Sequence, residues 1–359
     1  MKIILSGGGT LGSVTPLLAL VEELREQGEH QFLWLGTRGG PEKVLITEWN
    51  VPFQGIFAGK LRRYFAWQNF FDILGLLVGL LQSIYFLKKF KTQRVLTAGS
   101  YVAVPVVLAA WFLRIPVLIH QQDLQWGLAN KLMRPFATWI TVNFDCILQV
   151  LPRRFRKQAF LVGNPVRQQI KELLTTPKDK EVLFKKFNLE PDIPVLLVLG
   201  GGTGALHLNE LVAAAMPHLY QFCQVLHLTG KEKKAPLTEG EWQKRYHWQE
   251  FIIKDMPDVY SVADLVISRA GIGTLSELAV LGKPALVVPM PHSHQEVNAR
   301  YFADNKAAIV LDQENLAPEM LAQIVARVLS HRDEQGILSE NIKRLANLDA
   351  AKEIIELIK

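Results

Sequence analysis

Two short apolar runs, each breaking into a glycine-rich turn, constrain this chain more than any other feature. Lys2-Ile3-Ile4-Leu5-Ser6 leads into Gly7-Gly8-Gly9-Thr10-Leu11-Gly12, and Val195-Leu196-Leu197-Val198-Leu199 leads into Gly200-Gly201-Gly202-Thr203-Gly204-Ala205. A helical pattern follows each turn, from Val14 to Glu23 and from Leu206 to Ala215. A strand, a turn without side chains and a helix start let backbone N–H groups approach an anion closely. Found twice in one chain, the arrangement predicts two Rossmann-like α/β halves facing one another with a ligand between them. It points to a nucleotide-dependent enzyme.

The chain has 359 residues, too many for one typical core, so two domains are expected. With 49% apolar and 21% charged residues it can fill both cores, and no segment reads as disordered. Cys146 and Cys223 cannot build a disulfide framework and no Cys/His cluster has zinc spacing, which fits a reducing cytosol. Gly7 to Gly9 interrupt the first apolar run after four residues, so it reads as a strand and not as the core of a signal peptide.

Strands are expected at 2–6, 31–36, 94–98, 116–120, 138–143, 159–163, 194–199, 223–229, 249–254, 264–268, 284–288 and 307–311, with helices between them. Short strands alternating with helices predict parallel sheets built from βαβ units. The boundary is placed at Gly163-Asn164-Pro165, giving an N-terminal domain 1–163 and a C-terminal domain 164–339. A charged helix and two proline stops lie between Thr175 and Pro194. A closing amphipathic helix, 337–358, is expected to cross back over residues 340–359 and brace the first domain.

The net charge of +6 suggests an anionic partner. Lys60, Arg62 and Arg63 precede an apolar, aromatic-rich stretch from Tyr64 to Leu87, and Lys88, Lys89, Lys91 and Arg94 follow it. A spanning helix needs roughly 20 apolar residues, and Asp72, Gln82 and Ser83 leave this one short. It reads either as a core helix beside a basic loop or as an apolar patch, rimmed by Lys and Arg, that docks on an anionic leaflet. Nucleic-acid motifs are absent, and basic residues at both ends of an apolar stretch favour the membrane reading.

Gly7-x-Gly9-x-x-Gly12 fits the dinucleotide fingerprint, yet the second strand ends in Gly36-Thr37-Arg38 with no carboxylate for a ribose, which argues against a dehydrogenase. Neither turn continues into Lys-Ser or Lys-Thr, so a Walker loop fails as well. The first turn also has a purely structural reading, tight strand-to-helix packing. In Gly163-Asn164-Pro165-Val166-Arg167, Arg167 is either a bidentate clamp for a diphosphate or a solvated residue on the next helix. Arg269-Ala270-Gly271-Ile272-Gly273-Thr274-Leu275-Ser276-Glu277 opens another helix. There Glu277 either holds a ribose diol or closes a capping box with Thr274. His120-Gln121-Gln122-Asp123 and His292-Ser293-His294-Gln295-Glu296-Val297-Asn298 each end a strand, at the sheet edge where open α/β folds bind ligands. The His-x-His pair lacks a third ligand, so no metal is expected, and Gln295 and Asn298 suit sugar hydroxyls.

Taken together these motifs resemble the MurG family, the peripheral membrane glycosyltransferases of peptidoglycan synthesis. The resemblance runs nearly end to end. It is carried by the first glycine loop, Gly36-Thr37 with Glu42, Gly99-Ser100-Tyr101-Val102, the His120 segment, Gly163 to Arg167, Gly200 to Ala205 with Asn209, His227-Leu228-Thr229-Gly230, Asp255-Met256, Arg269 to Glu277, and Gln295-x-x-Asn298-Ala299. It implies an α/β GT-B fold, two Rossmann-like domains facing across a cleft, with the acceptor on the N-terminal side and the nucleotide on the C-terminal side. The implied reaction is inverting transfer of N-acetylglucosamine (GlcNAc) from UDP-GlcNAc to the muramyl sugar of the polyprenyl-diphosphate-linked lipid I. The product is lipid II, made without a metal or cofactor on the cytoplasmic face of the plasma membrane.

Carried over, the backbone at Ile253 meets uracil, Glu277 holds the ribose, and Arg167 with Gly202 and Thr203 contacts the diphosphate. Thr10, Leu11, Gly12, the backbone of Ile272, Gly273, Thr274 and Leu275, and Gln295 surround phosphates and sugar, with Ser276 and Asn298 in the same set. Residues 60–94 match the family's membrane patch. Three motifs depart from the family pattern. GGTGGH becomes Gly8-Gly9-Thr10-Leu11-Gly12-Ser13, putting Ser13 where a histidine usually stands. HEQN becomes His120-Gln121-Gln122-Asp123, and GGSQGA becomes Gly200-Gly201-Gly202-Thr203-Gly204-Ala205. A serine does not accept a proton at neutral pH unaided, so Asp123 is expected to act as general base or to orient the acceptor hydroxyl. A transferase with another lipid acceptor and a non-catalytic binding relative are the competing readings.

Overall fold

The structure, a computed structural model, describes residues 1–59, 68–202, 204–234, 237, 239–252 and 254–359, with only the backbone described over 68–73. The chain divides into two compact units, one of Met1–Gln168 with Asn347–Lys359 and one of Gln169–Ala346.

In the first unit seven parallel strands are β1 (Lys2–Ser6), β2 (Gln31–Thr37), β3 (Phe53–Ile56), β4 (Arg94–Thr97), β5 (Val117–Gln121), β6 (Trp139–Val142) and β7 (Ala159–Leu161). They lie in the order β3-β2-β1-β4-β5-β6-β7. Ile3, Ile4 and Leu5 are fully buried because β1 is flanked by β2 and β4 and covered on both faces. The second unit repeats the plan with β8 (Val195–Leu199), β9 (Gln224–Leu228), β10 (Tyr246–Gln249), β11 (Leu265–Ser268), β12 (Ala285–Val287) and β13 (Ile309–Val310). Their order is β10-β9-β8-β11-β12-β13, again all parallel. The strand order reverses between β1 and β4, and between β8 and β11. A glycine loop follows the first strand of each pair, at the topological switch point.

Several elements differ from the sequence reading. β3 has no counterpart in it, since Phe53-Gln54-Gly55-Ile56 is short and carries a glycine, and β2 beside it supplies the pairing that makes it a strand. β10 lies at 246–249, not 249–254. Tyr246 faces the core and its hydroxyl reaches His227 on β9, which pins the register three residues earlier than the more apolar run suggests. The division between units falls after Gln168, not Gly163, and the closing segment is two helices. Arg332–Lys343 stays in the second unit, and only Ala350–Ile358 lies against the helix Thr15–Glu26 of the first. The break is fixed at Asn347, whose amide donates to Val162 O (3.0 Å) and to Glu353 (3.0 Å).

Over residues 74–90 the helix Gln68–Phe90 is buried on one face only. Gly79, Ser83 and Leu87 face inward, near the helix Ala103–Phe112. Leu74, Leu77, Val78, Leu81 and Tyr85 form an exposed stripe, each more than 40% accessible. Among the described residues no helix is long and apolar enough to cross a membrane. Lys60, Arg62 and Arg63 lie outside the described residues.

Candidate active site

The loop after β1 is held from behind. Glu42, fully buried at the start of the helix Glu42–Glu48, accepts from Thr37 N (2.7 Å), from the Thr37 hydroxyl and from Gly9 N (3.2 Å). Trp34 Nε1 donates to Gly7 O (2.9 Å) and Ser100 Oγ to Gly8 O (2.6 Å). Gly9 has φ +77°, and a Cβ there would lie 2.9 Å from the Tyr101 ring, so only glycine fits. Ser13 is buried and turned back on its own loop, its Oγ accepting from Gly8 N (3.2 Å). Thr10 and Gly12 are exposed at the tip, and Leu11 is buried.

After β5, His120 is buried and bridges Thr141 Oγ1 (3.0 Å) and Asn164 Oδ1 (3.0 Å). Burial lowers its pKa to about 4, so the ring is neutral at pH 7. His120 is thus a brace inside the sheet edge. Gln121 donates to the carbonyls of Asp123 (2.6 Å) and Gln125 (3.3 Å) and accepts from Asn130 (2.6 Å), which fixes the backbone that carries the half-buried Asp123. Arg167 is only 5% exposed, which excludes the solvated alternative. The next amide, Gln168 N, donates to Glu22 (2.8 Å).

In the second unit, Gly201 and Gly202 are exposed in the loop after β8, while Thr203 lies outside the described residues, as does Ile253. Gly204 has φ +71°, and a Cβ there would lie 2.5 Å from Thr229 O. Gly204 N donates to Gly201 O (2.9 Å) and Lys233 Nζ to Gly204 O (3.2 Å). Beside this loop, across the switch point, the helix Ile272–Leu281 begins. Its N-cap is Gly271, without a side-chain cap, so Thr274 stands in the first turn and no capping box forms with Glu277. Glu277 is buried and accepts instead from the Tyr260 hydroxyl (2.8 Å). The N–H groups of Ile272, Gly273 and Thr274 head the helix, where a partial positive charge collects. Leu275 is core, so only its backbone is available, and Ser276 is half-buried. Asn298 is buried behind the loop and donates to Ala270 O (3.1 Å). Gln295, half-buried, accepts from Met290 N (3.1 Å). Arg269 donates to Val288 O, Pro289 O and Gln313 and so fastens the loop to the neighbouring strand ends. Among the described residues no three His, Cys, Asp or Glu side chains form a group that could hold a metal ion.

Comparison with known proteins decides the family. Residues 3–142 match the glycosyltransferase family 28 N-terminal domain, and residues 195–358 match the family 28 C-terminal domain. A UDP-N-acetylglucosamine--N-acetylmuramyl-(pentapeptide) pyrophosphoryl-undecaprenol N-acetylglucosamine transferase from Lachnospira eligens is 38% identical over all of this chain and 98% of its own length. A protein of the same name from Legionella pneumophila (strain Paris) is 36% identical over all of this chain and 96% of its own. The crystal structure of Acinetobacter baumannii MurG superposes with a TM-score of 0.70 and 28% identity, covering 99% of this chain and 98% of that one. The chain belongs to the MurG family. Its architecture is GT-B, and its class is that of a UDP-GlcNAc-dependent glycosyltransferase. A UDP-GlcNAc 2-epimerase from Neisseria meningitidis, 14% identical with a TM-score of 0.68 over 100% of this chain and 99% of its own, shares the fold alone.

Within the MurG frame, sequence reasoning missed one side chain that shapes the site and left another without a role. Tyr260, the partner of Glu277, lies 17 residues away on another helix, and no local spacing announces it. Glu42 is named in the sequence only beside Gly36-Thr37, without a role, and the structure makes it a buried anchor for the first loop.

Proposed function

We propose that this chain transfers GlcNAc from UDP-GlcNAc to the muramyl sugar of lipid I, forming lipid II for peptidoglycan and so serving cell shape and division. The reading rests above all on the β8/β11 switch point, where a glycine loop, a helix N-terminus and the buried Glu277 lie side by side. The acceptor hydroxyl oxygen attacks C1 of GlcNAc from the face opposite the diphosphate. The C1–O bond to phosphate breaks, UDP leaves with the electron pair, and a base removes the hydroxyl proton. Asp123 is that base, or orients the hydroxyl, because Ser13 is engaged with Gly8 N and has no basic group.

Charge on departing UDP is met by Arg167 and by backbone N–H groups at Gly202, Thr203 and Ile272 to Leu275. Glu277 accepts from the ribose hydroxyls, the Ile253 backbone reads uracil, Ser276 and Gln295 approach phosphates and sugar, and Thr10 to Gly12 approach the sugar. Asn298 acts by holding Ala270. The first unit is the acceptor domain and the second the donor domain. The exposed stripe Leu74 to Tyr85, with Lys88 and Lys89 at its end, supports peripheral docking on an anionic membrane at its cytoplasmic face, through residues 60–94.

The test is transfer of labelled GlcNAc to a short-chain lipid I analogue, with and without EDTA. Equal product in both arms is expected. UDP-GlcNAc binding without product would move the acceptor to another lipid.

A further inference from the structure

We propose that Tyr246, His227 and Asn209 form a one-way hydrogen-bond relay that positions the second glycine loop for the donor's diphosphate. The direction follows from elementary donor and acceptor chemistry. Asn209 Nδ2 lies 2.8 Å from two carbonyl oxygens, Thr229 O and Lys233 O, so it is the amide nitrogen that faces them. Its Oδ1 therefore faces His227 Nε2 at 3.0 Å, and that nitrogen carries the proton. A neutral imidazole then has a bare Nδ1, and the Tyr246 hydroxyl, 2.9 Å away, donates to it. The chain of donors runs Tyr246 to His227 to Asn209 to the two carbonyls. All three side chains are buried, and the phenol meets the imidazole edge-on.

The two carbonyls are the far wall of the loop. Thr229 O is the atom that a Cβ on Gly204 would strike, and Lys233 sends its ammonium back to Gly204 O. Asn209 also belongs to the helix that the loop opens, its N–H donating to Ala205 O (2.9 Å). The relay thus fastens both ends of the turn from β10, through β9, to the loop after β8. None of the three touches substrate, so they are positioning residues. The inference rests on the reading that this loop meets the donor.

Asn209→Asp tests it, because the shape is kept while a carboxylate oxygen replaces the amide donor against two carbonyls. Loss of the buried pairing is expected to raise the Kd for UDP and the KM for UDP-GlcNAc about tenfold or more. The KM for the lipid I analogue should stay within about twofold. Hydrogen exchange should quicken at Gly204 to Asn209 and Thr229 to Lys233, and not at β11. Tyr246→Phe, which keeps the ring, should move the same readouts in the same direction by less, and it serves if the Asp variant does not fold. Unchanged exchange and UDP affinity in both variants would overturn the relay. Failure of the unsubstituted chain to bind UDP would overturn the assignment of the loop to the donor, while the exchange arm still decides the relay.

Discussion

The loop after β1 is backed by a carboxylate, whereas the loop after β8 is backed by a neutral relay and flanked by a lysine. Glu42 takes the Gly9 amide, so one of the N–H groups that a fingerprint reading offers to a phosphate is already engaged, and a negative charge stands behind the turn. At Gly204 the corresponding support comes from the neutral amide of Asn209 and the ammonium of Lys233. Two turns with nearly the same letters therefore favour different ligands. The glycines set the shape, and the groups behind them decide how well an anion is received. On the proposed reading, this contrast favours the donor diphosphate at the second loop and leaves the first to shape the acceptor side.

Arg167→Ala should have the largest effect, lowering kcat/KM for UDP-GlcNAc about 10²- to 10³-fold in steady-state assays, as loss of a preorganised charge partner does. A loss confined to the lipid I analogue would instead place Arg167 on the acceptor. Asp123→Asn should lower kcat about 10²-fold with donor KM little changed, and a full rate in that variant removes Asp123 from proton transfer. Glu42→Gln replaces one acceptor oxygen by a donor facing Gly9 N or Thr37 N. It should raise the acceptor KM roughly tenfold and cost about 1–3 kcal/mol of stability in urea unfolding. If it tightens UDP binding, the charge behind the first loop matters to the donor and the contrast collapses.

The smallest expected effect is one the two halves share. Each carries one buried neutral histidine, His120 with its pKa lowered to about 4 and His227 to about 3. Below about pH 6.5 the unfolded chain gains a proton at each position that the native state refuses, so stability falls as pH drops toward those values. The slope is at most about 1.4 kcal/mol per pH unit for each histidine. Urea midpoints between pH 7.5 and 5 should show the decline, and His227→Gln should flatten part of it.

Much of this contrast was beyond the sequence. Both glycine loops, most of the strands and the segment carrying Glu277 were legible, because strand, turn and helix signals are local. The burial of Arg167 was not, nor the choice of Gly271 over Thr274 as cap, since each depends on what surrounds the segment. β10 was misplaced for the same reason. Its register is set by Tyr246 meeting a histidine on another strand, and hydrophobicity along the chain carries no trace of that pairing. The helix Gln68–Phe90 is neither wholly core nor wholly surface, burying Gly79, Ser83 and Leu87 while exposing Leu77 and Leu81.

The central claim, that the two glycine loops divide the substrates between them, is tested most directly by hydrogen exchange of the full chain with and without saturating UDP. Exchange should slow at Gly200 to Ala205 and Gly271 to Leu275 and stay unchanged at Gly7 to Gly12. Protection of Gly7 to Gly12 with the second loop unchanged would contradict it.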